Sequence, residues 1–273
     1  YVLGTNKMTA IHSSTERRVG MVIEYDGTEY SGFQRQTKAP TVQSALEEAL
    51  ARLTGEQIRV KGASRTDSGA HALGQVVAFS TDSSLPLEAF VRGPNAHLPR
   101  EIAVLQAHLV PTLFDPRRDA TSRVYRYTIL NQATRSPSWE RWAYQVPGQL
   151  DLDAMSASLR SLEGSHDFSP FGGAVPQGKS TIRRIIRTQV IRYDNRVLVE
   201  IEGNAFLPGQ VRRTVGTLLK VGKGKLSPET VRGIIDGSSD QRATAAVPAK
   251  GLCLVKIKYK DFPPNAYKTN ENV

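Results

Sequence analysis

Val19, Met21, Ile23 and Tyr25 are apolar at every second position, the period of a strand that buries one face, and Asp26-Gly27 supplies a turn to end it. The period then lengthens. Val42, Leu46, Ala49, Leu50 and Leu53 fall on one helical face, with Thr41 placed as N-cap and Gly55 just past the end. Strands are predicted at 58–61 and 75–80, and between them lies a polar loop, 62–74, whose residues suit neither element. A short helix over 87–97 leads to a strand at 102–110, after which Pro111 and Pro116 interrupt the chain.

The second half predicts strands at 124–130 and 142–146, then a helix carrying Leu152, Met155, Leu159 and Leu162 on one face. Two strands, 185–193 and 196–202, flank Asp194-Asn195, a pair suited to a two-residue hairpin turn. A helix from Leu207 presents Val211, Val215, Leu218 and Leu219, and Ser227-Pro228 starts another with a serine cap and proline at its first position. In the final strand Val255, Ile257 and Tyr259 alternate with Lys256, Lys258 and Lys260, so three like charges share the face opposite the apolar one. That face suits solvent or an RNA backbone.

Each half mixes short strands with two helices instead of strictly alternating them, which predicts an α+β class with antiparallel sheets and not a dinucleotide fold. The prolines place a boundary that leaves an N-terminal α+β domain at 19–112, carrying the polar loop, and a C-terminal one at 113–262. Residues 1–18 and 263–273 read as flexible tails.

Composition narrows the function classes. With 39% hydrophobic residues and 22 glycines in 273 residues, wholesale disorder is excluded and about two domains are expected. No run reaches the roughly 18 apolar residues of a membrane span, and residues 1–18, which open on Tyr1, contain no apolar core of a secretory signal. Lysine and arginine exceed the acids by 36 to 26, a net charge of +10 that attracts polyanions, so nucleic acid is the first partner class, with mere solubility as the plainer reading. Cys253, the one cysteine, has no disulfide partner within the chain and sits in an apolar alternation, which predicts a buried thiol in a reducing compartment. His12, His71, His97, His108 and His166 lie too far apart in sequence for zinc-like spacing, and no metal is expected.

The loop Gly62-Ala63-Ser64-Arg65-Thr66-Asp67-Ser68-Gly69-Ala70-His71 is the densest polar cluster in the chain. Asp67, Ser68 and His71 contain the residue types of a nucleophilic triad, but three neighbours in one loop seldom align, and no G-x-S-x-G elbow is present. A metal-dependent hydrolase would need a second carboxylate at a sensible spacing, which is missing. A single reactive carboxylate, Asp67, fits better, against the plainer reading of an Asx-turn. Basic segments elsewhere favour the reactive one: Arg117-Arg118, Arg123 with Tyr125, Arg126 and Tyr127, Arg183-Arg184, and Arg212-Arg213. Arginine beside tyrosine is the mixture that grips phosphates and stacks on bases.

These residues, with their order, resemble the bacterial tRNA pseudouridine synthase A (TruA) family. The likeness runs through Tyr25-Asp26-Gly27-Thr28, Gly32-Phe33-Gln34-Arg35-Gln36, Thr41-Val42-Gln43, the loop Arg65-Thr66-Asp67-Ser68-Gly69-Ala70-His71-Ala72, and Gly74-Gln75-Val76. It continues through Asn95, Leu98-Pro99, Phe114-Asp115, Arg117, Arg123, Tyr125, Tyr127, His166-Asp167-Phe168, Phe206-Leu207, Val211-Arg212 and Gly251-Leu252. Ser64 and Ala70 stand where the family often has glycine and valine, and Pro208-Gly209-Gln210 where histidine and methionine are common.

The resemblance implies the pseudouridine synthase fold, with two RNA-recognition-like (ferredoxin-like) α+β halves, and a cytoplasmic homodimer with tRNA spanning both subunits. It implies isomerisation of uridine to pseudouridine at positions 38, 39 and 40 of the tRNA anticodon arm, without cofactor or metal. By the same resemblance Asp67 is the catalytic carboxylate, acting on the base or at the sugar C1′. Tyr125 stacks on the uracil and is expected to help remove the C5 proton, and Arg212 pairs with the aspartate. Arg65, Thr66, His71, Gln75, Arg123 and Leu252 are expected to contact substrate. The alternative is an RNA-binding protein of the same fold that has lost catalysis; the presence of Asp67, Tyr125 and Arg212 together argues against it.

Overall fold

The structure, a computed structural model, describes residues 16–262; of the tails expected at 1–18 and 263–273, residues 1–15 and 263–273 lie outside the described residues. Arg17 and Arg18, expected in the N-terminal tail, instead open β1 (Arg17–Tyr25), because their backbone pairs with Thr81 and Ser80 of β3 (His71–Thr81). α1 (Val42–Thr54) is closed at its start by a reciprocal box: Thr41 accepts the Ser44 N–H while the Ser44 hydroxyl accepts the Thr41 N–H. Gly55 ends it in the left-handed conformation.

The strand expected at 58–61 shrinks to β2 (Lys61–Gly62). The Val60 N–H donates to Glu47 Oε1 at 3.1 Å and its carbonyl accepts from Gln43 Nε2 at 3.0 Å, so side chains of α1 take the bonds a neighbouring strand would supply. Conversely, the strand expected from Gln75 begins at His71, which removes 71–74 from the predicted loop.

After α2 (Ala89–His97) and β4 (Ile102–Val110) the chain forms β5 (Ser122–Leu130), β6 (Tyr144–Gln145), α3 (Leu152–Arg160) and β7 (Gly164–Asp167). The hairpin of β8 (Ile182–Tyr193) and β9 (Arg196–Gly203) turns at Asp194, whose φ of 55° is what such a two-residue turn demands. α4 (Gln210–Gly222) begins three residues later than expected, since Pro208 and the left-handed Gly209 do not join it. α5 (Pro228–Asp236) and β10 (Leu252–Lys258) complete the order.

Among the described residues, ten strands form one sheet in the order β4-β1-β3-β10-β5-β9-β8-β7, with β2 added to β3 and β6 to β5. α1 and α2 pack together and α2 lies against β4, while α3 packs against α4, α5 and β8. The mixed α+β architecture holds, but two pairings, β10 with β3 and β5 with β6, are parallel and not antiparallel. β10 is the seam. It pairs Leu254 with Ala72 of β3 on one side and with Tyr125 of β5 on the other, so the last strand joins the two halves of the chain.

A bulge between Leu254 and Lys256 shifts its phase, which buries Leu252 and Leu254 as well as Val255 and Ile257. Lys258, on the charged face, forms an ion pair with Glu202 at 2.8 Å. Cys253 is only partly exposed, and burial pushes its thiol up to about 12.

Three of the core tyrosines, Tyr25, Tyr125 and Tyr127, are 3%, 6% and 0% exposed. Burial raises all three phenols, Tyr125 to about 12. An unfolded tyrosine ionises near pH 10, so the unfolded chain releases these protons first. Stability is therefore complete below about pH 10 and is lost as the pH climbs toward the folded values, by about 1.4 kcal/mol per unit for each phenol. Urea unfolding is expected to give a nearly constant free energy from about pH 6 to 8 and one lower by at least about 4 kcal/mol at about pH 11 from these phenols, to which the raised Cys253 thiol and Tyr259 phenol add. A constant value through that range would show that the three phenols ionise inside the fold.

Candidate active site

The loop between β2 and β3 is held from both sides by backbone. The Phe33 N–H donates to the Thr66 carbonyl at 3.3 Å and the Gly69 N–H to the Tyr30 carbonyl at 3.2 Å. Such closeness requires glycine at two points: a Cβ at Gly27 would sit 1.9 Å from the Ala70 carbonyl oxygen, and one at Gly32, whose φ is +89°, would sit 2.7 Å from that of Thr66. From beneath, Gln75, 0% exposed, grips Ser64 with both ends of its amide. Its Oε1 accepts the Ser64 N–H at 3.1 Å and its Nε2 donates to the Ser64 carbonyl at 2.7 Å.

Asp67, at the crest of this loop, meets Arg212 of α4 across 145 residues of sequence: the guanidinium donates to Oδ2 at 2.8 Å. Arg212 is itself aimed by a bond from its Nε to the Val247 carbonyl at 2.7 Å. Among the described residues Arg212 is the one hydrogen-bonding partner of the carboxylate. Tyr125, on β5, exchanges a 2.7 Å hydrogen bond with the Ser64 hydroxyl, and the Phe206 ring stands edge-on to it at 5.2 Å. With its phenol pushed up to about 12, chiefly by burial, Tyr125 is neutral at pH 7.

Asp67, Tyr125 and Arg212 line one cavity of about 560 Å³, a volume in the range of a small-molecule or nucleoside site. Arg65, Thr66, Arg123 and Leu252 line it too. Two of these have their polar groups engaged in the protein. The Thr66 hydroxyl bonds to that of Tyr25 at 2.8 Å. Arg123, 7% exposed, donates to the carbonyls of Ala120, Asn204 and Arg117 at 3.2, 2.6 and 2.5 Å, so it shapes the wall from behind.

His71 and Gln75 are not among the lining residues. His71 is buried under Trp142, their rings 4.4 Å apart, with Nε2 2.8 Å from the Arg141 carbonyl and 3.1 Å from that of Lys250. Its Nδ1 accepts the Gly27 N–H at 3.2 Å, which suits the tautomer protonated at Nε2. His71 thus ties the loop to two distant segments. Sequence reasoning missed three features: the Ser64–Tyr125 bond, the Phe206 edge, and Lys179 on the rim. The only signal for the first was a hydroxyl where the family often has glycine.

The cavity therefore combines a carboxylate set by a guanidinium, a neutral phenol, aromatic surface and a basic rim. The sequence profile of the tRNA pseudouridine synthase family matches residues 21–119 and 159–260. The chain is 40% identical over 243 residues to a tRNA pseudouridine synthase A of Geotalea uraniireducens, covering 89% of this chain and all of that one. It is 42% identical over 246 residues to one of Geobacter sp. strain M21, covering 90% of this chain and all of the relative. With the enzyme of that name from Clostridium acetobutylicum it shares 39% over 243 residues, 89% of this chain and all of the other.

Proposed function

Because this chain belongs to the tRNA pseudouridine synthase family, we propose that its 560 Å³ cavity is where a tRNA uridine is isomerised to pseudouridine. The C1′–N1 bond breaks, C1′ bonds to C5 of the same uracil, the C5 proton leaves and N1 takes one up, so no net oxidation or reduction occurs. The observation that carries the placement is the Asp67–Arg212 contact at 2.8 Å inside a cavity that Tyr125 also lines.

Asp67 is the carboxylate at the reacting atoms, one oxygen held by Arg212 and the other without a bond to any described residue. Arg212 keeps it oriented and opposes its charge. The neutral phenol of Tyr125 offers a stacking face and a hydrogen bond, and with its pKa at about 12 it is a poor candidate for a phenolate base at pH 7. The 19–112 half supplies Asp67 and the 113–262 half supplies Tyr125 and Arg212.

A uridine within a stem must leave the stack to reach Asp67, at a cost of a few kcal/mol that stacking and phosphate contacts offset. The targets in this reading are positions 38, 39 and 40 of the anticodon arm, bound by a cytoplasmic homodimer. The net charge of +10 supports an RNA-binding surface. Among the described residues no helix is long and apolar enough to cross a membrane.

Tritium release from C5-tritiated tRNA transcripts, each with a single uridine at 38, 39 or 40, tests the assignment. Release is expected from these and not from a transcript with cytidine at all three. Release from the latter would move the target elsewhere, and no release from any full-length tRNA would overturn the synthase assignment.

A further inference from the structure

Arg183, on β8, is anchored without being satisfied. Its Nη1 donates to the carbonyls of Ser180 and Ile182 at 2.8 and 2.7 Å, which fixes one end of the guanidinium to its own strand. Its Nε is buried and has no hydrogen-bond partner among the described residues. Leaving a buried donor unpaired costs roughly 1–3 kcal/mol, and folded proteins seldom do so without a missing ion, water or ligand to account for it.

The surroundings ask for an anion. Arg117 lines the same cavity, and its positive charge, after burial, is what disfavours the charged form of Arg183. Arg65, Arg123, Lys179 and Arg212 line it as well, against one acid, Asp67, which Arg212 occupies. The neighbouring carboxylates are engaged elsewhere. Asp115 takes Lys61 at 2.6 Å and the backbone N–H groups of Arg117 and Arg118. Asp167, on the adjacent β7, accepts from the Ser169 N–H and from the Thr181 side chain.

Resting on the synthase reading, we propose that Arg183 and Arg117 form a clamp for one phosphodiester immediately flanking the target uridine. A phosphodiester carries the missing charge and presents two unesterified oxygens. The planar guanidinium fork matches that geometry better than it matches a base edge. Because the group belongs to the strand being modified, its capture draws the uridine toward Asp67 and offsets the Arg117–Arg183 repulsion only in the complex, through the outer guanidinium nitrogens and not the buried Nε. The clamp acts on binding, not on the bond-breaking step.

The experiment uses anticodon stem-loop RNAs in which one flanking phosphodiester at a time is replaced by an uncharged methylphosphonate, with tritium release for kinetics and filter binding for affinity. With the unaltered protein, one position is expected to raise KM about ten-fold while kcat is unchanged. Arg183→Met is expected to raise KM similarly on unmodified RNA and to show no further loss at that one position. Arg117→Met, an exposed side chain with no folding burden, should show the same non-additivity. Additive losses at every position in both variants would overturn the clamp. So would a kcat loss in Arg183→Met with unchanged KM. If tritium release fails for every stem-loop and for full-length tRNA as well, the synthase reading falls; in either case the same non-additivity in filter binding decides for or against the clamp.

Discussion

Asp67→Asn is expected to lower the rate of tritium release by at least about 10³-fold, with tRNA affinity within a few-fold of the unaltered protein. Asparagine has the same shape, and its carbonyl oxygen accepts from Arg212 as Oδ2 does at 2.8 Å. What it lacks is charge, and an amide oxygen is neither an effective nucleophile nor a base in this setting. The substitution also removes the one acidic side chain lining a cavity with six cationic ones, so attraction for an RNA backbone is not weakened. Asp67→Ala should behave alike in single-turnover assays at saturating enzyme. More than about a tenth of the activity in either variant would take the chemistry away from Asp67.

Gln75→Leu is expected to cost about 2–5 kcal/mol of stability and at least ten-fold in kcat. Leucine fills similar space but leaves the Ser64 N–H and carbonyl, bonded to the amide at 3.1 and 2.7 Å, without their partner. Each orphaned backbone group costs roughly 1–3 kcal/mol. The activity loss follows from geometry: Ser64 is also the hydrogen-bond partner of Tyr125, at 2.7 Å, and lies three residues before Asp67 in the same loop. Gln75→Glu separates the two backbone bonds, since a carboxylate still accepts the N–H but faces the carbonyl with an oxygen. Thermal unfolding by circular dichroism, read beside single-turnover rates, checks both parts. A Gln75→Leu protein that melts like the parent yet loses activity would make Gln75 a substrate contact instead of a support.

Much of the scaffold was legible locally. The α1 period with Thr41 and Gly55 at its ends, the Asp194-Asn195 hairpin and the alternation of β1 each depend on residues a few positions apart, and each formed. The local signal failed where a partner lay elsewhere. Val60 satisfies its backbone through Gln43 and Glu47, so a strand-like pattern made no strand there. β7, the four-residue stretch Gly-Ser-His-Asp, has no apolar alternation and exists because β8 pairs with it.

The candidate site divides in the same way. The residue types of the polar loop, and through the family likeness the trio of Asp67, Tyr125 and Arg212 that the fold brings to one cavity, were legible in the sequence alone. Which side chains face substrate and which serve the protein was not. Gln75 and His71 share segments with cavity-lining residues, and Arg123 lines the cavity itself, yet their polar atoms bind Ser64, the carbonyls of Arg141 and Lys250, and those of Ala120, Asn204 and Arg117. The Lys250 contact of His71 follows from β10 entering between β3 and β5, a pairing that brings His71 and Tyr125 onto strands flanking the same one. Periodicity reports which face of an element is apolar. Which distant donor meets which acceptor is settled only when the folded sheet brings them within hydrogen-bond distance.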